Sequence, residues 1–142
     1  MQRMAGGVRV EKMPGHWLLA RLGKRVLRPG GVEATRRMLE ALEIGVRDEV
    51  VEFAPGLGAT ARMALERRPA SYTGVERDRE AARRVAEILR GERRGCVVGD
   101  AAATGLASGC ASVVFGEAML TMQREAQKRR IAGEAYRLLR PG

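Results

Sequence analysis

Glu49, Val50, Val51, Glu52 and Phe53 form a β-prone run that breaks at Ala54, Pro55, Gly56, Leu57 and Gly58 into a glycine turn. A helix-favouring stretch from Ala59 to Arg67 follows directly. Valine and phenylalanine suit a buried pleated strand, and glycine lets the backbone turn sharply and approach a ligand closely. Strand, glycine turn, helix is the opening unit of a parallel α/β sheet.

The unit repeats outward from there. Ser71 to Glu76 reads as a second strand, Asp78 as an N-cap, and Arg79 to Arg90 as an amphipathic helix with Ala82, Val85, Ala86 and Leu89 inward, stopped by Gly91. Gly95 to Val98 and Ala111 to Phe115 read as third and fourth strands, and Gln123 to Arg140 as a helix burying Ile131, Ala135, Leu138 and Leu139. Upstream, His16 to Val26 and Gly31 to Leu42 show helical spacing of apolar residues, separated by a break at Arg28, Pro29, Gly30 and Gly31. Strands separated by helices of this length predict parallel pairing through right-handed crossovers, an open α/β sheet with helices on both faces. The expected organisation is an N-terminal helical segment, residues 1–45, acting as a cap or lid, and a core of residues 46–142.

Composition narrows the class. The chain has 142 residues, enough for one domain with its own core. With 45% hydrophobic and 30% charged residues it is neither a disordered tail nor a fibre. Apolar runs fall short of the ~18 residues of a membrane span. Met1 to Gly15 carries Arg3, Arg9, Glu11 and Lys12 and lacks the apolar centre of a secretory signal, so a cytoplasmic location is expected. Cys96 and Cys110 make no disulfide framework and read as reduced, buried side chains. The net charge of +9 raises a nucleic-acid partner. Against that, the arginines are spread along the chain at solvent-face spacings, and no aromatic is interleaved with a basic cluster to stack bases.

Open α/β sheets bind ligands beyond the carboxyl ends of their strands. Gly56 and Gly58 remove side chains at the end of the first strand. Glu76 ends the second, 18 residues beyond Gly58, where a carboxylate can accept both hydroxyls of a ribose. Arg77 beside it can lay its guanidinium over an adenine, or serve only as a surface arginine. A nucleoside-containing cofactor follows. Gly56, Leu57, Gly58, Ala59, Thr60 and Ala61 formally match a dinucleotide fingerprint. Glu52 immediately before the turn decides between candidates: an anion there opposes the diphosphate of NAD and suits a ligand with an ammonium and a sulfonium. Its sign favours S-adenosylmethionine.

From about Val50 to Gly142 the sequence resembles the class I S-adenosylmethionine-dependent methyltransferases, whose fold is Rossmann-like. Val50 to Gly58 looks like their glycine-rich first motif, with Ala54 in place of its first glycine and Pro55 after it. Val75, Glu76 and Arg77 look like the second, acidic strand end. Gly99, Asp100 and Ala101 look like the third, in which the resemblance implies that Asp100 receives the adenine amino group and the Ala101 amide serves the ring. Ala111 to Glu117 resembles the fourth strand and its loop, and Glu134 to Gly142 the helix and turn before a fifth strand. The family sheet has seven strands, so the resemblance also implies a chain lacking the last of them. Two expectations follow: the chain is a fragment, or the sheet edge is covered by a second copy or a partner chain.

The resemblance thus implies cofactor contacts at Glu52, Ala54, Gly56, Gly58, Glu76, Arg77, Asp100, Ala101 and Glu117. Glu117, after the fourth strand, reads as a general base or, more simply, as a carboxylate that organises its loop. No catalytic residue and no metal ligand is assigned. Methyl transfer to a small-molecule acceptor is the first reading, because Gly116, Glu117, Ala118 and Met119 stand where the family's nucleic-acid amino-methylating members carry Asp or Asn, two prolines and an aromatic. A non-catalytic or partner-dependent S-adenosylmethionine-binding fragment, and an RNA-associated methyltransferase, are the competing readings.

Overall fold

The computed structural model describes residues 31–142. The expected helix from His16 to Val26, and most of the 1–45 cap, lie outside the described residues. The described chain runs α1 (Gly31–Leu42), β1 (Glu49–Phe53), α2 (Ala59–Leu65), β2 (Ser71–Glu76), α3 (Arg79–Ile88), β3 (Arg94–Val98), β4 (Val113–Gly116), a 3-10 turn (Leu120–Met122) and α4 (Glu125–Leu138). The strands lie in the order β3-β2-β1-β4, all neighbours parallel.

Alternate residues of a strand point to opposite faces, and β1 divides the core accordingly. Val50 packs with Leu39, Ile44, Ala61, Ala64, Tyr72, Val85, Leu89 and Phe115, so α1, α2 and α3 share one face. Val51 and Phe53 pack with Val75, Ala101, Ala111, Ile131 and Leu138, so α4 and the long β3–β4 connection cover the other. Burying a leucine such as Leu39, Leu89 or Leu138 contributes about 1.5–3 kcal/mol. That exceeds the intrinsic helix-propensity differences of at most ~1 kcal/mol among non-proline residues. Packing of these faces therefore decides where the helices lie. The result is the open α/β sheet that the strand and helix alternation predicts. None of the described helices is long and apolar enough to cross a membrane.

The boundaries of α1, β1 and β2 coincide with the sequence reading, and the Asp78 carboxylate accepts from the Ala81 amide at 2.8 Å as an N-cap should. Differences gather where tertiary pairing competes with local pattern. The helix α2 ends at Leu65 rather than Arg67, because Pro69 cannot continue it and Arg68 takes a left-handed φ of 52°. The fourth strand begins at Val113 rather than Ala111. Ala111 is instead bridged to Leu139, with Ala111 N donating to the Leu138 carbonyl and Arg140 N to the Ala111 carbonyl. That pairing pulls Leu139 and Arg140 out of the expected helix, which ends at Leu138. At the other end, Leu120 to Met122 winds as a 3-10 turn and α4 starts at Glu125.

Candidate functional site

The register places Phe53 beside both Val75 and Gly116, and Glu76 beside Val98, so the carboxyl ends of all four strands meet along one rim. At the centre of the rim is the turn after β1. Ala54 occupies a φ of 52°, a left-handed conformation that costs an L-residue roughly 1–2 kcal/mol, and its amide donates to the Val75 carbonyl at 2.8 Å. Backbone strain of this kind persists where surrounding structure enforces it, and it clusters at functional sites.

The two glycines of the turn do different work. Gly58, at φ 81°, lies against α3, and a Cβ there would run into Ile88. Gly56, at φ 58°, faces open space: the nearest atom to a Cβ would be the Ala54 carbonyl oxygen at 3.9 Å. Only Gly56 leaves room for a ligand against bare backbone. Pro55 lies against Gly74 of β2, where a Cβ would stand 3.2 Å from the Pro55 ring.

Acidic side chains rise from successive strand ends. Glu76, 8% exposed, accepts from the Gly56 amide at 3.0 Å through Oε2 and from the Asp78 amide at 3.2 Å through Oε1. It therefore ties the β1 turn to the β2 end, and each oxygen keeps a further lone pair for a ligand hydroxyl. Glu52 is 2% exposed, and its Oε1 accepts from the Tyr72 hydroxyl at 2.7 Å. The Glu117 carboxylate accepts from Thr60 of α2 at 2.7 Å through Oε1 and from Thr35 of α1 at 2.7 Å through Oε2. That carboxylate joins the β4 loop to two helices, an arrangement suited to organising the loop. Ala118 beside it also holds a left-handed φ, of 55°.

Asp100 follows β3. Its Oδ1 accepts from the Ala102 amide at 2.8 Å and its carbonyl from the Ala103 amide at 2.9 Å, so it closes a local turn, while Oδ2 has no hydrogen bond among the described residues. The Ala101 side chain is buried in the α4 face of the core, and Arg77 is exposed without an ion pair among the described residues. Of the sequence-predicted residues, the structure joins Gly56 to Glu76 directly and sets Glu52, Asp100 and Glu117 along the same rim.

Sequence reasoning passed over Thr35, Thr60 and Tyr72, the hydroxyls that satisfy these carboxylates, and Glu134. Polar residues among buried apolar neighbours were the available signal. Glu134 is buried on α4 together with the expected Ile131 and Leu138, whereas Ala135 and Leu139 are only half-buried, and it accepts from the Thr104 amide at 2.6 Å, the Thr104 hydroxyl at 2.8 Å and Arg137 Nε at 2.6 Å. Arg137 also donates to Ser108 and to the Leu106 carbonyl, so the pair fastens the loop that follows Asp100. The Arg137 hydrogen bond comes first among the causes that hold the Glu134 carboxyl down to about 2 against the opposing effect of burial.

The electrostatics have one sign. Burial first, then the charges of Glu76 and Glu52, push the Cys96 thiol up to about 11, so it stays protonated and is no nucleophile. Burial first, then Glu52 and more weakly Glu117, raises the Tyr72 phenol far above its usual range and keeps it a donor. In a chain of net charge +9, the rim is an acidic place. A surface groove of about 700 Å³ between α2 and α3, lined by Leu57, Leu65, Ile88, Arg62, Arg84, Arg90 and Glu87, includes none of these carboxylates and meets the turn at Leu57.

Known proteins are similar to this chain in sequence or in fold. An uncharacterised protein of Haemophilus influenzae is 35% identical over 131 residues, 89% of this chain and 52% of its own length. The ribosomal RNA small subunit methyltransferase A of Maridesulfovibrio salexigens is 36% identical over 61 residues, 43% of this chain and 22% of its own. Among solved structures, phosphoethanolamine N-methyltransferase 2 of Haemonchus contortus, in complex with S-adenosyl-L-methionine, is similar with a TM-score of 0.70 at 20% identity, over 82% of this chain and 27% of that one. The chain thus spans at most about half the length of these proteins. The family described as a methyltransferase domain matches residues 50–142, well over half of the chain, and the chain belongs to that family.

Proposed function

We propose that the chain binds S-adenosylmethionine at the strand-end rim and serves in transferring its methyl group to a small-molecule acceptor. The observation that carries this reading is the juxtaposition of an open, side-chain-free Gly56 with carboxylates from consecutive strand ends, Gly56 and Glu76 being hydrogen-bonded to each other. The donor set fits the group. Glu76 offers lone pairs for ribose hydroxyls, Asp100 an acceptor for an adenine amino group, and the Ala101 amide a donor for the ring. Glu52 supplies negative charge toward an ammonium, and the same charge opposes a diphosphate, which argues against NAD.

When bound, the cofactor supplies an electrophilic methyl on a sulfonium. The chain's part is to hold and orient: methyl transfer needs donor and acceptor in line and water excluded, and a base only where the acceptor must lose a proton. Glu117 has both oxygens engaged by threonine hydroxyls, which supports an organising role over that of a base. Gly116 to Met119 after β4 supports a small-molecule acceptor.

Identity to the ribosomal RNA methyltransferase favours a second reading, an RNA acceptor, for which the arginine-rimmed groove between α2 and α3 would be the contact surface.

The first reading is tested by calorimetric titration of the 142-residue chain with S-adenosylmethionine, S-adenosylhomocysteine and NAD. Binding of the first two and not the third is expected. Glu76→Ala should weaken both by on the order of 1–3 kcal/mol, the cost of leaving ligand hydroxyls and the Gly56 amide without a charged partner. A folded chain that binds neither nucleoside would sink the reading.

A further inference from the structure

The connection from Gly99 to Ser112 joins β3 to β4 and carries Asp100 and Ala101 at its start. It has little regular structure of its own, so its shape depends on what holds it from outside. One anchor is the sheet, where Gly99 N donates to the Glu76 carbonyl at 2.9 Å. The other is α4. Glu134, 8% exposed, accepts the Thr104 amide and hydroxyl on Oε2, at 2.6 and 2.8 Å, and Arg137 Nε on Oε1 at 2.6 Å. The Thr104 hydroxyl in turn accepts from the Leu106 amide at 3.1 Å, while Arg137 donates to the Leu106 carbonyl at 2.7 Å and to the Ser108 hydroxyl at 2.9 Å. Between the anchors the segment closes on itself: Asp100 is bridged to Ala103, and the Thr104 carbonyl comes back to 3.7 Å from where a Gly99 Cβ would stand.

A neutral acceptor would have satisfied Thr104, and a buried carboxylate is costly unless its lone pairs are filled. Here each donor to Glu134 belongs to this loop or to the arginine that also holds the loop. The Arg137 hydrogen bond first, then those from Thr104, outweigh burial and keep the carboxyl ionised at neutral pH. Such a clamp fixes what lies between its two ends. Among the described residues, Asp100 Oδ2 and the Ala101 amide have no hydrogen bond. An acceptor beside a donor matches the edge of a 6-aminopurine, whose amino group donates and whose neighbouring ring nitrogen accepts. A 6-oxopurine reverses both, setting a carbonyl oxygen against the carboxylate and an N–H against the amide. Rejecting the reversed pattern requires a pair that does not turn, because a loose loop adapts to either edge. We infer that Glu134 and Arg137 are positioning residues for purine selection: they hold the loop so that Asp100 and the Ala101 amide accept a 6-aminopurine and exclude a 6-oxopurine. This rests on the adenine reading of Asp100 and Ala101 given above.

The test compares S-adenosylhomocysteine with S-inosylhomocysteine, which differ only at this edge of the purine, by calorimetric titration into the 142-residue chain. The wild-type chain is expected to prefer the adenine ligand by about a hundredfold, because the oxo analogue leaves polar groups of the site opposed. Glu134→Gln leaves one acceptor oxygen where Thr104 and Arg137 need one each. Arg137→Lys keeps the charge but loses the fork that spans Glu134, Leu106 and Ser108. Each variant is expected to cut the preference to roughly tenfold or less, chiefly through weaker S-adenosylhomocysteine binding. A merely structural pair would lower the melting temperature and weaken both ligands alike, and that unchanged preference would overturn the proposal. Asp100→Asn separates the two layers, since an asparagine amide can turn to donate to the oxo group. If Asp100→Asn keeps the full preference, or the wild type has none, the adenine reading fails and the inference falls with it. If Asp100→Asn lowers the preference while Glu134→Gln and Arg137→Lys retain it, only the positioning role fails. Loss of the fold in both α4 variants would also overturn the proposal, since the pair would then be a requirement of folding.

Discussion

At the scale of single residues, the ligand turn shows that one motif can carry two separate demands. Gly56 and Gly58 both adopt positive φ, but one faces open space and the other the side chain of Ile88. Replacing either with alanine forces an L-residue into a left-handed conformation, at about 1–2 kcal/mol. Gly58→Ala must also displace Ile88, so its expected total cost is about 2–3 kcal/mol of stability, read by urea denaturation. Gly56→Ala is expected to cost only the strain, and to weaken S-adenosylmethionine more than Gly58→Ala does. Equal stability losses in the two variants would count against this division. Ala54 makes the same point in reverse: the position tolerates a side chain because it is exposed, at the expense of strain.

At the scale of elements, α4 does more than cover the second face of the sheet. Its Glu134 and Arg137 hold the loop from Thr104 to Ser108, which leads away from Asp100. The Glu134 carboxyl is lowered from 4.5 to about 2 in the fold. A group lowered in this way contributes stability in full above pH 4.5 and loses it as the pH falls toward 2. Glu134→Gln is therefore expected to lower stability at neutral pH by about 1.5–3 kcal/mol, the range for hydrogen bonds to charged groups. The variant should also show a flatter acid limb than the wild type between pH 4.5 and 2, measured by unfolding free energy against pH. Parallel acid limbs would show that Glu134 is not the titrating group. The shift of β4 to Val113–Gly116 belongs to this scale too. It follows from the bridge between Ala111 and Leu139, which no local pattern announces.

At the scale of the whole molecule, charge is distributed against its own average. A net charge of +9 suggests polyanion binding, yet the strand ends that would meet a ligand carry Glu52, Glu76, Asp100 and Glu117. Arginines at helix surfaces pair with nearby acids, as Arg84 does with Glu80 and Arg37 with Glu33. If RNA is the acceptor, binding of an RNA hairpin should fall steeply with salt, and charge reversal at Arg62 and Arg90 should abolish it without changing S-adenosylmethionine affinity. Weak, salt-insensitive binding unaffected by that reversal would leave the small-molecule reading alone. By itself the sequence determined what depends on neighbours in the chain: the strand–turn–helix unit that starts at Glu49 and runs through Gly58 into the helix from Ala59, the Asp78 cap, the helical faces and hence the open parallel sheet. Those features arise from periodicity and from backbone preferences of adjacent residues, which are legible locally. Only the tertiary structure decided which hydroxyl meets which carboxylate. Thr35 and Glu117 are 82 residues apart, Thr60 and Glu117 are 57 apart, and Tyr72 and Glu52 are 20 apart on different strands. A buried carboxylate takes whatever donor the packing of strands and helices brings within reach, and that distance is set by the sheet order, not by spacing along the chain.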